Sequence, residues 1–135
     1  YHLGEFVWKT YKDVQQDVLF ISQEFIDMGF DETHKMALFC NTSPNWLTVA
    51  FALSNISSPI VTVYPTLSED AVLHALILTE IRGIMVDEKT FPRICPFLNQ
   101  FPHLKHVILS KHLEDVSVTD SLPSHISVTK FNDLL

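Results

Sequence analysis

Glycine is scarce in this chain. Three glycines are spread over 135 residues, at positions 4, 29 and 83, and none lies in a glycine-rich turn. Phosphate-binding loops of the common kinds need clustered glycines, so that backbone N–H groups can close on the anion. A Walker loop and a dinucleotide fingerprint are therefore excluded within these residues. Basic charge is also short: nine Lys and Arg stand against sixteen Asp and Glu, a net charge of −7. A general nucleic-acid binder needs a basic face to neutralise phosphates, so that class is excluded as well. Cysteine appears twice, as Cys40 and Cys95, far apart and with neither a disulfide framework nor a zinc spacing around them. Cys40 ends an apolar run and Cys95 sits in a proline-flanked apolar segment, so both read as small buried hydrophobes rather than reactive thiols. A reducing, cytosolic setting fits that usage. No signal peptide is visible. The apolar stretches are broken by Ser, Asn, His or Asp well short of the roughly 20 residues that span a bilayer.

What is present is an ordinary globular composition, 47% hydrophobic, in a length that suits one domain or a large piece of one. The chain starts at Tyr1 rather than Met and ends at Leu135 in mid-pattern, which gives the expectation of an internal piece of something longer. Trp8-Lys9-Thr10 reads as a short strand or extended entry, with Thr10 and Asp13 in capping-box positions. Val14, Val18, Ile21, Phe25 and Met28 form one helical stripe, and Gly29 is placed to end it. A buried strand is expected over Lys35–Cys40. Ser43 and Pro44 then open a second helix that carries Trp46, Val49, Ala50, Leu53 and Ile56 inward. Ile60–Tyr64 is a second strand, and residues 67 or 68 to about 79 a third helix burying Val72, Leu73, Leu76 and Ile77. Strands over Gly83–Asp87 and His106–Ser110 flank a short helix over 91–100, with Pro92 and Pro96 near its start. Residues 111–125 read as loop, Ile126–Thr129 as a fifth strand, and Phe131–Leu135 as the start of a further element. Helices alternating with continuously apolar strands predict an α/β fold, a Rossmann-like or flavodoxin-like half-domain. Its mostly parallel sheet of about five strands is covered by helices on both faces.

Few residues in this frame carry chemistry. His103 and His106 lie three apart around Lys105, but a pair is half a metal site, and surface or strand-edge histidines explain them better. His74 reads as a partly covered helix residue. Ser43, Ser54 and Ser68 lack a nucleophile elbow; capping explains Ser43 and Ser68. Asp87 and Glu88 end the third strand where α/β ligands often bind, yet an acidic strand end is also how a strand meets solvent, the reading favoured here. Trp46 is most simply core; Tyr64 either faces a ligand or bonds a backbone partner. In PIVTVYPTLSED, residues 59–70, a strand runs into a proline-stiffened turn and a helix start whose Glu69 and Asp70 suit the helix dipole and would repel a phosphate. No catalytic, cofactor-binding or metal residue is assigned within the chain.

Four stretches, in order and in register, resemble the long-chain fatty acyl-CoA synthetases of the adenylate-forming superfamily. WKTYKDV with the helix to DMGF, residues 8–30, is similar to that family's Trp-x-Ser/Thr-Tyr entry. KMALFCNTSPNWLTVAFAL, 35–53, resembles its strand, turn with tryptophan, and helix. PIVTVYPTLSEDAVLHALILTEIRGIMVDEKTF, 59–91, resembles its Tyr-x-Thr-Leu-Gly segment and the helix and strand that follow. PHLKHVILS, 102–110, fits its Pro-x-Leu-Lys-His strand. Ser68 replaces the family's usual glycine, and Asn45 an acidic residue before the tryptophan; neither is a catalytic position of the family.

The resemblance implies an ATP-dependent long-chain fatty acid–CoA ligase. It would use ATP, Mg2+ and CoA, passing through an acyl-adenylate before forming the thioester. The family's phosphate loop and other catalytic motifs are not found in these residues, so 1–135 is expected to be part of the N-terminal AMP-binding (adenylation) domain ahead of them, inactive alone. Membrane association, by the same resemblance, would come through segments outside these residues. It would place the protein at the cytosolic face of the endoplasmic reticulum, mitochondrial outer membrane or peroxisome. The competing reading is a stand-alone, non-catalytic α/β binding or regulatory module of the same ancestry; a stop codon just after Leu135 would favour it. Within the enzyme reading, short- or medium-chain acyl or aryl acids are rival substrates. A sheet cut off after four or five strands also leaves an open edge, so the isolated piece is expected to self-associate.

Overall fold

Local signals start each of the three long helices. Thr10 accepts a hydrogen bond from Asp13 N at 3.2 Å while the Asp13 carboxylate accepts from Thr10 N at 2.8 Å, a reciprocal capping box that opens α1 (Tyr11–Asp27). Ser43 Oγ accepts from Trp46 N at 3.2 Å ahead of α2 (Pro44–Asn55), with the proline in the first turn, where its missing N–H costs nothing. Ser68 caps α3 (Glu69–Leu78), whose first turn carries Glu69 and Asp70 against the positive helix end.

The computed structural model describes residue 4 and residues 6–110 and 122–135. After α1 comes β1 (Met36–Phe39), after α2 comes β2 (Ile60–Thr62), and after α3 comes β3 (Gly83–Val86). A short α4 (Phe91–Ile94) tightens into a 3₁₀ turn over Cys95–Gln100 before β4 (His106–Leu109). β5 (Ser127–Lys130) leads into a 3₁₀ turn over Phe131–Leu134. The stretch 111–121 of the expected loop lies outside the described residues. All pairings are parallel, in the order β2-β1-β3-β4-β5. This is the flavodoxin-like arrangement, one of the two expected from the helix–strand alternation.

Strand residues alternate between two cores, as a period of two requires. Met36, Leu38 and Cys40 of the β1 segment, with Met85 and Ile108, face a core built on Ile21 and Phe25 of α1, Val49 and Leu53 of α2, and Phe131. Ala37, Phe39, Ile84, Val86, Val107 and Leu109 face the other side, against Val72 and Leu76 of α3 and Ile94 and Leu98 of the α4 region. Both faces are covered at the middle of the sheet, so β1 and β3 are apolar and buried throughout, while the edge strands β2 and β5 carry polar, exposed positions.

The glycine shortage shows at the helix exits. Each long helix leaves through a left-handed residue: Gly29 (φ 82), Ser57 (φ 59) and Glu80 (φ 52). After α2 the geometry is a Schellman motif, Ser58 N donating to Leu53 O at 2.9 Å and Ser57 N to Ser54 O at 3.1 Å. Only the first of the three exits uses glycine.

Of the two readings for residues 8–10, no strand forms and Thr10 is extended (φ −80, ψ 162) as it enters α1; Trp8 is exposed, its ring 5.9 Å from that of Phe6. Other expectations fail. β2 ends at Thr62, although Val63 N still donates to Leu38 O at 3.1 Å. Ile77 is exposed because α3 buries only the narrow stripe of Val72 and Leu76, and one residue further turns about 100° away. Trp46 is half-buried; placed in the first turn of α2, it packs on the rim of the α1 side instead of entering the core. The expected helix over 91–100 is two short pieces, with Pro96 at the start of the second.

Candidate functional site

Sheet order reverses between β1 and β3, and parallel α/β sheets bind ligands beyond the carboxyl ends of strands at such a point. A cleft of ≈730 Å³ opens there. Cys40 and Asn41 reach it from the end of β1, Asp87 and Glu88 from the end of β3, and Ser110 from the end of β4. Ser43 and Pro44 bring the start of α2, Lys9 and Asp17 the entry and first turns of α1, and Phe131 closes the far side.

Asp87 organises this edge. It is buried, and its carboxylate accepts from Asn41 N and Asn41 Nδ2, both at 2.7 Å, from Lys89 N at 3.0 Å, and from Thr90 N and Oγ1 at 2.9 and 3.0 Å. The expectation of an acidic strand end meeting solvent is corrected for Asp87 and holds for Glu88, which is exposed. Burial works to raise the Asp87 pKa, but the hydrogen bonds from Asn41, Thr90 and Lys89 outweigh it, and the carboxyl lies below its usual range. Cys40 is pushed up to about 12, by burial first and then by the Asp87 charge, so its thiol stays protonated at neutral pH.

Other residues singled out in the sequence scatter. Ser43 and Ser68 are N-caps, and Ser54 Oγ donates to Ala50 O. His74 is exposed on α3, and Cys95 is half-buried against the α3-side core. His103 is exposed, whereas His106 is half-buried, with Nδ1 2.8 Å from Ser127 Oγ and its ring 5.6 Å from Phe30. Tyr64 is exposed, on a turn gripped by Arg93: the guanidinium donates to Pro65 O and to Leu67 O and stacks 5.3 Å from the Phe39 ring centroid. Asn41, Ser110 and Arg93 went unnoticed in the sequence. For Asn41 the only available signal was that a polar residue follows β1 directly.

The cleft holds no reactive pair among the described residues: the Cys40 thiol is protonated, the Ser43 hydroxyl caps a helix, and the Asp87 carboxylate is fully occupied. No group of three or more His, Cys, Asp or Glu is placed to hold a metal there or elsewhere among them. A nucleotide's phosphates do not fit this lining. Asp17, Asp87 and Glu88 all contribute to it, against Lys9, already paired with Asp17, and one further cation, Lys89, and no glycine is present. The cleft can position a polypeptide or ligand; it does not activate one. No helix among the described residues is long and apolar enough to cross a membrane.

Comparisons with known proteins agree with the motif resemblance. A curated relative, long-chain-fatty-acid–CoA ligase 2 of Schizosaccharomyces pombe, is 26% identical over 137 residues, covering 100% of this chain and 20% of its own length. Long chain acyl-CoA synthetase 8 of Arabidopsis thaliana is 24% identical over 107 residues, 79% of this chain and 15% of its own. The chain thus spans about a fifth or less of these relatives. Among solved structures, a putative long-chain-fatty-acid CoA ligase from Rhodopseudomonas palustris superposes with a TM-score of 0.77 at 12% identity, over 95% of this chain and 30% of that one. A red-emitting luciferase from Phrixothrix hirtus gives 0.76 at 14%, over 93% and 28%. These two likenesses establish the shared fold. The profile of the family described as AMP-binding enzyme matches residues 1–130, nearly the whole sequence, and with it the chain belongs to the AMP-binding enzyme family.

Proposed function

We propose that residues 1–135 form part of the AMP-binding domain of an ATP-dependent long-chain fatty acid–CoA ligase, ahead of that enzyme's phosphate loop. The whole enzyme activates the fatty acid through an acyl-adenylate, with ATP and Mg2+, and then forms the thioester with CoA. These residues supply scaffold rather than catalytic, cofactor-binding or metal groups. The observation that carries the reading is the match to a curated long-chain ligase along the entire chain, which includes the motif stretches at 8–30, 35–53, 59–91 and 102–110. The carboxyl-edge cleft, with its occupied Asp87 and protonated Cys40, supports a positioning role.

The test is fatty-acid-dependent exchange of pyrophosphate into ATP. The whole protein carrying this chain is expected to catalyse it with palmitate, and the isolated 135 residues to show none. Clear exchange by the isolated residues overturns the assignment of catalysis to other parts of the protein. Failure of the whole protein with any fatty acid overturns the ligase reading.

Two further readings rest on the family. Membrane association, at the cytosolic face of an intracellular membrane, comes through segments other than these. Fluorescent fusions with and without residues 1–135 test it, and membrane targeting that depends on 1–135 counts against it. The isolated piece self-associates, because β2 and β5 are open sheet edges and Phe6, Val7, Trp8 and Tyr11 are strongly exposed. A monodisperse monomer in analytical ultracentrifugation would refute that.

A further inference from the structure

At the amino end of the sheet, opposite the cleft described above, strand register builds a second feature. Met36, Gly83 and His106 pair across β1, β3 and β4. Each is immediately preceded by a cation: Lys35, Arg82 and Lys105. Backbone bonds carry the alignment outward, Arg82 N donating to Lys35 O at 2.9 Å and Lys105 N to Arg82 O at 2.8 Å. Three of the nine Lys and Arg in an acidic chain therefore stand in one row, at the strand spacing of roughly 4.8 Å.

The row lines a small cleft of ≈280 Å³ together with Thr33, His34, Glu80 and His103. Like charges on adjacent strands repel unless something neutralises them. Among the described residues, none of the three cations is ion-paired; the two pairs found are Lys9 with Asp17 and His34 with Asp31. Arg82 Nε is buried without a hydrogen-bond partner. The Arg82 guanidinium lies against the last turn of α1, where a Cβ on Gly29 would stand 3.1 Å from Nη2, so the negative helix end offsets part of its charge. Of the nearby acids, Asp31 is engaged by Thr33 and His34, and Glu80 is the carboxylate that lines the cleft. The positive field is felt by His106, whose pKa is lowered by burial first and then by Arg82 and Lys105.

A guanidinium fork between two ammonium groups around a small concavity suits a compact, multiply charged oxyanion better than an extended acidic peptide. We propose that this cleft is a phosphate-binding site, formed by Lys35, Arg82 and Lys105, that takes free phosphate or the phosphomonoester of a lipid headgroup. It lies at the end of the sheet away from the carboxyl-edge cleft and does not depend on the ligase reading; capture of a lipid headgroup here would count against membrane association through other segments alone.

The test uses the whole protein carrying this chain at low ionic strength. One arm titrates inorganic phosphate by calorimetry; the other measures capture by phosphatidylcholine vesicles with and without phosphatidic acid. Binding in at least one arm is expected to weaken about tenfold or more in the Lys35→Gln/Lys105→Gln double variant. Lys12→Gln, on the exposed face of α1, is expected to leave it unchanged. Loss confined to the phosphate arm identifies a soluble ligand, and loss confined to the phosphatidic acid arm identifies a lipid headgroup. Arg82→Gln extends the series, and because its packing against α1 makes misfolding a risk, the lysine pair decides. No binding in either arm, or binding that the double variant leaves intact, overturns the proposal.

Discussion

One oxygen of the Asp87 carboxylate holds Asn41 twice, by its backbone N–H and by its side-chain amide, each at 2.7 Å and across 46 residues of sequence. The other oxygen binds the turn that follows β3, through Lys89 N and both donors of Thr90. A single carboxylate thus ties the ends of β1 and β3 together at the point where the sheet changes direction.

Replacing that carboxylate by an amide of the same shape, Asp87→Asn, turns one acceptor into a donor facing donors. Charge-assisted hydrogen bonds to buried groups contribute about 1.5–3 kcal/mol each, with strong overlap, so a total loss of about 2–4 kcal/mol is expected. Urea denaturation of the two proteins measures it, and a loss under about 0.5 kcal/mol would show the network to be ornamental.

Acid should reveal the same group. The folded Asp87 pKa lies below its unfolded value, so the unfolded chain takes up its proton first as pH falls. Its contribution is complete above the unfolded value of about 3.9 and disappears as pH drops through the folded one. Asp13 and Asp31 shift the same way, Asp31 to about 2, both held by hydrogen bonds from a neighbouring threonine. Wild-type stability is therefore expected to fall below about pH 4 more steeply than that of Asp87→Asn. Parallel slopes in acid denaturation would remove Asp87 as the source.

Thiol labelling separates the two cysteines. Cys40 is buried with its pKa near 12, while Cys95 is half-buried. In iodoacetamide at pH 8, mass spectrometry is expected to find Cys95 modified first and Cys40 protected until urea unfolds the chain. Preferential labelling of Cys40 in the native protein would contradict the burial described.

Ser57 offers a stabilising change. It occupies the left-handed position after α2 at φ 59, which costs a non-glycine residue about 1 kcal/mol. Ser57→Gly is expected to raise the thermal midpoint and Ser57→Ala to leave it level or lower. Equal midpoints for the two variants would mean that the backbone there is unstrained.

Features set by neighbours in sequence were legible before the structure. Thr10 with Asp13, Ser43 with Pro44, and Ser68 with Glu69 announce helices through contacts spanning three residues, and continuous apolar runs such as MALF announce strands covered on both faces. Features set by pairing across the sheet were not. Asp87 looked solvent-facing because its partner, Asn41, is distant in sequence. Lys35, Arg82 and Lys105 lie far apart in sequence, and only the register of β1, β3 and β4 puts them in a row. Trp46 and Ile77 went astray for a geometric reason: helical spacing marks a face, and how wide a face is buried depends on what packs against it.

The position of β1 between β2 and β3 has a consequence for biosynthesis. As the chain leaves the ribosome, β1 finds its first neighbour once residue 62 has emerged, but its second only when Val86 has. Through that interval Met36–Phe39, a strand buried along its whole length in the finished fold, is an unprotected margin at which another nascent chain can add. Asn41 waits as long for Asp87. Slow synthesis between residues 62 and 86 would lengthen this exposure, and chaperone engagement of this chain is most needed there.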